Sequence, residues 1–236
     1  MSTKKSILAS LKSAFPHTIP IMTGFLFLGM SYGILARSEE LPVWLPILTS
    51  IIIFGGSLEF VSITLLTSAF APIQAFLMGL MVQARHLFYG VSMLEKYKNT
   101  GKKKPYLIYG LCDESFSVNY TANVPDGIDR GWFMLFVTLL NHLYWITGVT
   151  LGSLIGSIFP FNTEGLDFVM TAMFAVIFLE QLLKEKRHYT SMIGLFSTVL
   201  CLFVFGPDSF LIPSMLLIAF LLLVLKRPIE KRGGLE

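Results

Sequence analysis

Long apolar runs separated by short polar turns follow one another along nearly the whole chain. A helix that crosses the hydrocarbon core of a membrane needs about 20 mostly apolar residues, and most of the runs approach or exceed that length. The pattern therefore predicts a series of membrane helices. The apolar runs cover residues 16–36, 41–70, 73–94, 106–123, 131–159, 166–183, 189–205 and 210–225.

Two of these runs are interrupted. Gly55 and Gly56 divide the run 41–70, and the run 106–123 is short, weakly apolar and centred on Asp113 and Glu114. Irregular backbone is tolerated at membrane depth only where protein or a wet cavity surrounds it. We therefore predict an all-α, polytopic membrane protein with six full transmembrane helices and two broken or re-entrant segments. Eight simple spans are the alternative that hydropathy leaves open.

Composition supports the same class, because hydrophobic residues make up 54% of the chain, charged residues only 14%, and the mean hydropathy is +0.69. This balance lies outside the usual range of a soluble domain. The apolar runs leave no room for one. We predict an interfacial cytoplasmic segment at residues 1–15, one transmembrane domain at 16–225 and a basic cytoplasmic tail at 226–236.

Most of the 18 lysine and arginine residues lie at the two chain ends and in the loops 96–104 and 184–187. Basic residues in short loops mark the cytoplasmic side, so both termini and both loops are predicted to be cytoplasmic in a plasma-membrane protein. If 41–70 and 73–94 both crossed, the loop 96–104 would lie outside, which favours re-entry of 41–70. Nucleic-acid binding is not expected, because apolar spans separate the basic clusters.

Small residues recur at helical spacing in two of the runs. Gly29 and Gly33 form one pair, and Gly148, Gly152 and Gly156 follow Trp145 on one face of the run 131–159. Such stripes allow two helices to approach closely. Because they offer more close-packing faces than the chain needs internally, we expect one of them to bind a small helical subunit.

Three polar patches lie within the apolar runs. A charged side chain in hydrocarbon costs about 2.5–3.5 kcal/mol even on the lenient insertion scale, so these groups are expected to face a partner or a wet cavity. Polar groups that coincide with glycine-rich breaks are typical of the substrate site of a transporter. A buried ion-pair network that only fixes helix register is the alternative. The candidate substrate-binding residues are Gly55, Gly56, Ser57, Glu59, Arg85, His86, Asp113 and Glu114.

An intramembrane metal-dependent hydrolase could in principle use Glu59, His86 and Glu114. Their spacing matches no motif with a known mechanism, so we expect no enzyme activity, no metal and no cofactor. The patches suit a zwitterionic solute instead. Arg85 offers a cation for a carboxylate, and Glu59 or Asp113 offers a carboxylate for an ammonium group. A channel or carrier for another small solute remains open at this stage.

The chain resembles the AzlC-type branched-chain amino acid exporters over residues 14–225. The residues that carry the resemblance are Gly55-Gly56-Ser57-Leu58-Glu59-Phe60, Arg85-His86, Asp113-Glu114-Ser115-Phe116, Trp145 with Gly148 and Gly152, and Leu166-Asp167-Phe168. The resemblance implies export of branched-chain or similar apolar amino acids, driven by an ion gradient, together with a small AzlD-type membrane subunit. Two positions depart from the family pattern: Glu59 stands where Gln is common, and Gln83 where Asn is common.

Overall fold

The computed structural model describes residues 3–69, 71–158, 188–207 and 210–225, with a few single positions between 168 and 183. The chain divides into two compact units, Met1–Met170 and Thr171–Glu236, which are treated separately below. The regular secondary structure of the described residues consists of helices, without a strand. This confirms the predicted fold class, while the number of membrane spans stays a prediction.

The first unit is built on two long helices, α1 (Thr3–Ser38) and α8 (Arg130–Ile158). Both are long and apolar enough to cross a membrane, from Ser6 to Ser38 and from Arg130 to Ile158. Helix α1 continues through Pro16 and Pro20 without a break. Residues 3–15 therefore belong to the same helix as the first predicted span, and the structure shows no segment boundary at residue 15.

The two glycine stripes pack against each other at the contact between α1 and α8. A Cβ atom added to Gly33 would lie 2.5 Å from the backbone of both Val149 and Ser153, and one added to Gly152 would lie 2.2 Å from the carbonyl oxygen of Met30. No side chain fits at such distances, so glycine is required by the close approach of the two backbones. Both stripes are used within the chain, and the expectation that one is left for a subunit is wrong.

Six shorter helices lie between α1 and α8 along the chain, and they are joined in three pairs by interruptions. The interruptions fall at residues 53–55, at Ala84 and at 110–112. The first and third confirm the two predicted breaks, whereas the run 73–94 was wrongly predicted to be continuous. Whether the pairs cross or re-enter the membrane stays a prediction. The helices are α2 (Trp44–Ile52), α3 (Gly56–Thr67), α4 (Pro72–Gln83), α5 (Arg85–Tyr97), α6 (Lys104–Tyr109) and α7 (Asp113–Thr121).

The second unit contains α9 (Tyr189–Phe205) and α10 (Leu211–Val224), which pack on each other. Their bounds agree with the predicted runs 189–205 and 210–225. Gly206 ends α9 with a φ of +74°, a conformation that glycine adopts without a steric penalty. Most of the predicted span 166–183 lies outside the described residues, as do Leu166 and Asp167, the basic cluster 184–187 and the tail 226–236.

Candidate functional site

The first interruption places a bulky residue in a left-handed conformation. Phe54, between α2 and α3, has a φ of +44°. A left-handed conformation costs an L-residue other than glycine about 1–2 kcal/mol, so packing must hold it in place. Its ring stacks on His142 of α8 with the ring centroids 4.2 Å apart and lies edge-on to Phe25 of α1 at 6.5 Å. The two long helices thus fix the geometry of the break.

The carbonyl groups at the end of α2 receive hydrogen bonds from other helices. The last carbonyls of a helix lack intrahelical partners and must be satisfied in another way. Nε2 of His142 lies 3.2 Å from the oxygen of Ser50, and the hydroxyl of Tyr109 donates to the oxygen of Ile51. Tyr106 contacts Nδ1 of the same histidine at 2.9 Å. His142 therefore has a structural role, joining α2, α6 and α8.

Glu59 lies in the first part of α3, and its side chain is completely buried. The indole Nε1 of Trp145 donates to both carboxylate oxygens, at 2.9 and 3.0 Å, and the backbone N–H of Gly55 donates to Oε1 at 3.1 Å. The hydrogen bond to Glu59 satisfies the backbone N–H of Gly55, which has no intrahelical partner at the start of α3. Glu59 thus holds the start of α3 against α8 through neutral hydrogen-bond donors.

Side chains from other helices pack closely against the two glycines at this break. A Cβ atom on Gly55 would lie 1.9 Å from Nε2 of Gln83, and one on Gly56 would lie 3.2 Å from the ring of Trp145. Gly55 itself has a φ of −142°, which other residues adopt readily. The glycines therefore make room for the Gln83 amide and the Trp145 ring, and the unusual backbone conformation falls on Phe54.

The second interruption, at Ala84, is milder because Ala84 keeps helical dihedral angles. The N–H of Leu87 donates to the carbonyl of Ala84, at 3.2 Å, rather than to that of Gln83. The imidazole of His86 forms a hydrogen bond with the carbonyl of Gln83 instead, with 3.3 Å between Nδ1 and the oxygen. His86 thereby stabilises the interruption, and the interruption makes Arg85 the first residue of α5.

Arg85 joins the beginnings of three helices. Its Nη2 lies 3.0 Å from Oδ2 of Asp113, the first residue of α7, and 3.3 Å from the hydroxyl of Ser57, the second residue of α3. The side chains of Arg85 and Asp113 are 30% and 20% exposed, so the ion pair is only partly buried by the protein. The N-terminal ends of α3 and α7 also carry positive partial charge, which favours an anion nearby.

The third interruption ends where α7 begins with Asp113 and Glu114. Ser115 in the same turn is fully buried, and its hydroxyl lies 3.2 Å both from Sγ of Cys112 and from Nδ2 of Asn141 on α8. Glycine is needed at position 110, three residues before α7 begins, since a Cβ there would lie 2.3 Å from the Thr138 methyl group. The start of α7 is thus fixed to α8, as is the start of α3.

Two amide oxygens of this region are buried and receive no hydrogen bond from the described part of the chain: Oε1 of Gln83 and Oδ1 of Asn141. A buried acceptor left without a donor costs about 1–3 kcal/mol. Gln83 lies two residues before Arg85 in the chain, and Asn141 contacts Ser115 in the first turn of α7, so both unused acceptors belong to the residues around the breaks. An ammonium group, with three donors and no acceptor, has the complementary chemistry.

Comparison with known proteins identifies the family. A family model described as "AzlC protein" matches residues 20–159, the range that contains all eight candidate residues. The chain belongs to the AzlC family. It is 58% identical over 231 residues, 98% of this chain and 91% of the relative, to the "Branched-chain amino acid transport protein AzlC" of Bacillus subtilis. No solved structure matches the chain.

Two further relatives are named only as membrane proteins. An "Uncharacterized membrane protein" of Haemophilus influenzae is 45% identical and covers 89% of this chain and 86% of the relative. One of Helicobacter pylori is 38% identical and covers 94% of this chain and 98% of the relative. The AzlC-family chain is thus a membrane protein, and its named relative supports a role in transport.

The structure brings together some of the predicted residues and separates others. Ser57, Arg85 and Asp113 meet in one contact, whereas Glu59 is directed to Trp145 and Gly55, and His86 to Gln83. Glu114 lies beside Asp113 in the first turn of α7.

The residues of the metal-site alternative are not grouped together in the described part of the chain. Within the residues that the structure describes, no three His, Cys, Asp or Glu side chains are grouped so that they could hold a metal ion, and Glu59, His86 and Glu114 form no such group. The eight candidate residues did not include Gln83, Asn141 or Trp145. The first two were detectable as amides within apolar runs, whereas the contact between Trp145 and Glu59 depends on the tertiary fold.

Proposed function

We propose that this AzlC-family protein exports branched-chain or similar apolar amino acids across the plasma membrane, driven by an ion gradient. The observation that carries the proposal is the contact of Arg85 with Ser57 and Asp113, which joins the starts of three broken helices. Helix ends and polar side chains at breaks in membrane helices are the typical surroundings of a substrate in secondary transporters.

Amino-acid binding would exchange one neutral arrangement of charges for another. In the structure Arg85 and Asp113 neutralise each other at 3.0 Å. A zwitterion can insert its carboxylate beside Arg85 and Ser57, and its ammonium group beside Asp113 and the unused acceptor oxygens of Gln83 and Asn141. No net charge is then buried in either state, which matters because an unpaired buried charge is strongly destabilising.

An apolar surface adjoins this ion pair. Tyr89 lies four residues after Arg85 on α5, and Phe116 lies three residues after Asp113 on α7, so each aromatic ring is one turn from a member of the pair. The two rings stack with centroids 4.5 Å apart. A branched aliphatic side chain could pack against these rings while the charged end of the amino acid contacts Arg85 and Asp113.

Glu59 is our candidate for coupling transport to protons. It is a buried carboxylate whose contacts are the neutral donors of Trp145 and Gly55, and it shares α3 with Ser57. Gain or loss of its proton would change the hydrogen bonds that hold the start of α3. Export direction and the nature of the ion are inferred from the family resemblance.

The small AzlD-like membrane subunit also stays part of the proposal, on the basis of the family resemblance. The glycine stripes of α1 and α8 pack on each other and are not available to it. The subunit would therefore use another surface. The chain ends are proposed to lie in the cytoplasm, in keeping with their lysine and arginine residues.

The test is efflux of radiolabelled leucine, normalised to the amount of protein in the membrane. Arg85→Ala should abolish export, and Arg85→Lys should retain part of it, because lysine keeps the charge but not the two-pronged geometry that fits a carboxylate. Ser57→Ala should lower export, while Thr67→Ala, a control at the other end of the same helix whose hydroxyl donates to backbone carbonyls, should not. Normal export by Arg85→Ala at normal protein level would refute the proposed site.

A further inference from the structure

A second polar region lies away from the Arg85 site, where the end of α5, the end of α7 and the start of α8 meet. Two adjoining clefts of about 420 and 330 Å³ open there, and both are lined by Lys96 and Arg130. The larger cleft is also lined by Tyr120 and the loop that follows α7, and the smaller one by Asn99 and Thr100. These two clefts are called the basic cleft below.

Lys96 and Arg130 line this cleft, and a third cation, Lys103, lies beside it. Nζ of Lys96 lies 3.9 Å from the centroid of the Tyr120 ring and donates to the Tyr120 carbonyl. Nζ of Lys103 lies 4.6 Å from the centroid of the ring of Trp132, and Trp132 lies in the first turn of α8. Lys96 lies beyond the predicted span 73–94, and partial burial together with the positive charge of Arg130 lowers its pKa. The positive charges of Lys96 and Arg130, which line both clefts, are therefore held close together.

The nearby carboxylates of the described chain form no ion pair with these cations. Asp129 accepts a hydrogen bond from the backbone N–H of Trp132 at 2.8 Å and so caps α8. Glu95 lines the smaller cleft and Asp126 the larger one. Among the residues that the structure describes, none of the three forms an ion pair with Lys96, Lys103 or Arg130. The N-terminal end of α8 adds positive partial charge beside Arg130, so these cations and this helix end favour an anion at the same place.

The cleft lies at the boundary of the membrane-spanning part of the chain. Arg130 is the first residue of the helix that is long and apolar enough to cross. Lys96 contacts the ring of Tyr120, and Lys103 contacts the ring of Trp132. Tyrosine and tryptophan are enriched at the interface between membrane and water. On the cytoplasmic side, basic pockets between membrane helices are suited to the headgroups of anionic lipids.

We propose that the basic cleft binds a phosphate group, presented by the headgroup of an anionic phospholipid of the cytoplasmic leaflet. Arg130 would hold the phosphate oxygens through its planar guanidinium, and Lys96 would add a second cation while it keeps its bond to Tyr120. The lipid would connect the ends of α5 and α7 to the start of α8, and so stabilise the helices that carry Arg85 and Asp113. This inference does not depend on the transported solute.

The experiment measures the binding of phosphatidylglycerol to the purified full chain in neutral detergent by native mass spectrometry, with phosphatidylcholine for comparison. Lys96→Gln/Arg130→Gln should weaken phosphatidylglycerol binding at least about tenfold, since each charged hydrogen bond contributes about 1.5–3 kcal/mol. Lys98→Gln/Lys102→Gln removes the same amount of charge at two positions of the loop 96–104 that do not line the cleft. At physiological ionic strength this control should change binding no more than about threefold, because distant charges are screened.

Three outcomes decide the inference. Loss of phosphatidylglycerol binding in the cleft variant alone, without competition from inorganic phosphate, supports a lipid site. Equal losses in the two double variants, or equal binding of the two lipids, would overturn it in favour of diffuse attraction. Competition by millimolar inorganic phosphate would assign the cleft to a free anion instead. If the cleft variant is not monodisperse, Arg130→Gln alone, at an exposed position, carries the same comparison.

Discussion

The close contact between α1 and α8 can be tested with one pair of alanine substitutions on the same helix. A Cβ at Gly33 would lie 2.5 Å from two backbone atoms of α8, whereas a Cβ at Gly24 would have no atom within 4 Å. Both substitutions add one methyl group to α1. They should have opposite effects on stability, because only the first one pushes two backbones apart.

The expected magnitudes follow from these distances. Alanine is preferred over glycine in a helix by about 0.8–1.0 kcal/mol, so Gly24→Ala should stabilise the protein by up to about that amount. At Gly33 the same gain is opposed by overpacking, which typically costs about 1–3 kcal/mol and more where backbone must move. A shift of α8 would also open gaps at the neighbouring Gly29 and Gly152 contacts. We expect a net destabilisation of about 1–2 kcal/mol for Gly33→Ala.

The assay is thermal unfolding of the purified chain in detergent, with both variants measured beside the parent protein. A Gly33→Ala variant at least as stable as Gly24→Ala would refute the packing described for α1 and α8. Co-purification of a small membrane subunit with the Gly33→Ala variant should be measured as well. If Gly33→Ala keeps its stability but no longer co-purifies with a small membrane subunit, the glycine stripe serves the subunit and the two helices do not pack as described.

Further predictions concern Glu59 and the membrane topology. Glu59→Gln should keep leucine efflux but alter its dependence on external pH if Glu59 carries the coupled proton, and an unchanged pH profile would remove it from that role. Trp145→Phe should destabilise the chain by about 1–3 kcal/mol in an unfolding assay, because buried carboxylate oxygens lose their donor. A cysteine at Lys102 should resist an impermeant thiol reagent added to intact cells. The native Cys112 and Cys201 are buried and should give little background, and labelling from outside would contradict the cytoplasmic loop.

The sequence predicts the continuous helices better than the interruptions. The run 189–205 coincides with α9, and the break near Gly55 and Gly56 is where the glycines predicted it. The reason for that break was not predictable, since the left-handed residue is Phe54 and the glycines make room for other side chains. The interruption at Ala84 was missed because alanine is the strongest helix former and leaves the hydropathy pattern unchanged.

The candidate site was predictable as a set of residues but not as a set of contacts. Spacing alone brings Glu59 within reach of the backbone at Gly55, because residues four apart share a helix face. Which carboxylate faces Arg85 depends on how the half-helices rotate after each interruption, and no local pattern encodes that rotation. The structure selects Asp113 at 3.0 Å and directs Glu59 to Trp145.

The position of Arg85 argues for function rather than for helix stability. A cation in the first turn of a helix opposes the positive end of the helix dipole, whereas Asp113 and Glu114 in the first turn of α7 are favoured there. The guanidinium of Arg85 is therefore held in place by two contacts, with the carboxylate of Asp113 and with the hydroxyl of Ser57. A group held at an unfavourable helix end by a carboxylate can exchange that carboxylate for one of a bound zwitterion at little cost, because Arg85 and Asp113 each keep an oppositely charged partner. The interruption at Ala84 is therefore as important to the proposed transport as the glycine break, since it is what makes Arg85 the first residue of α5.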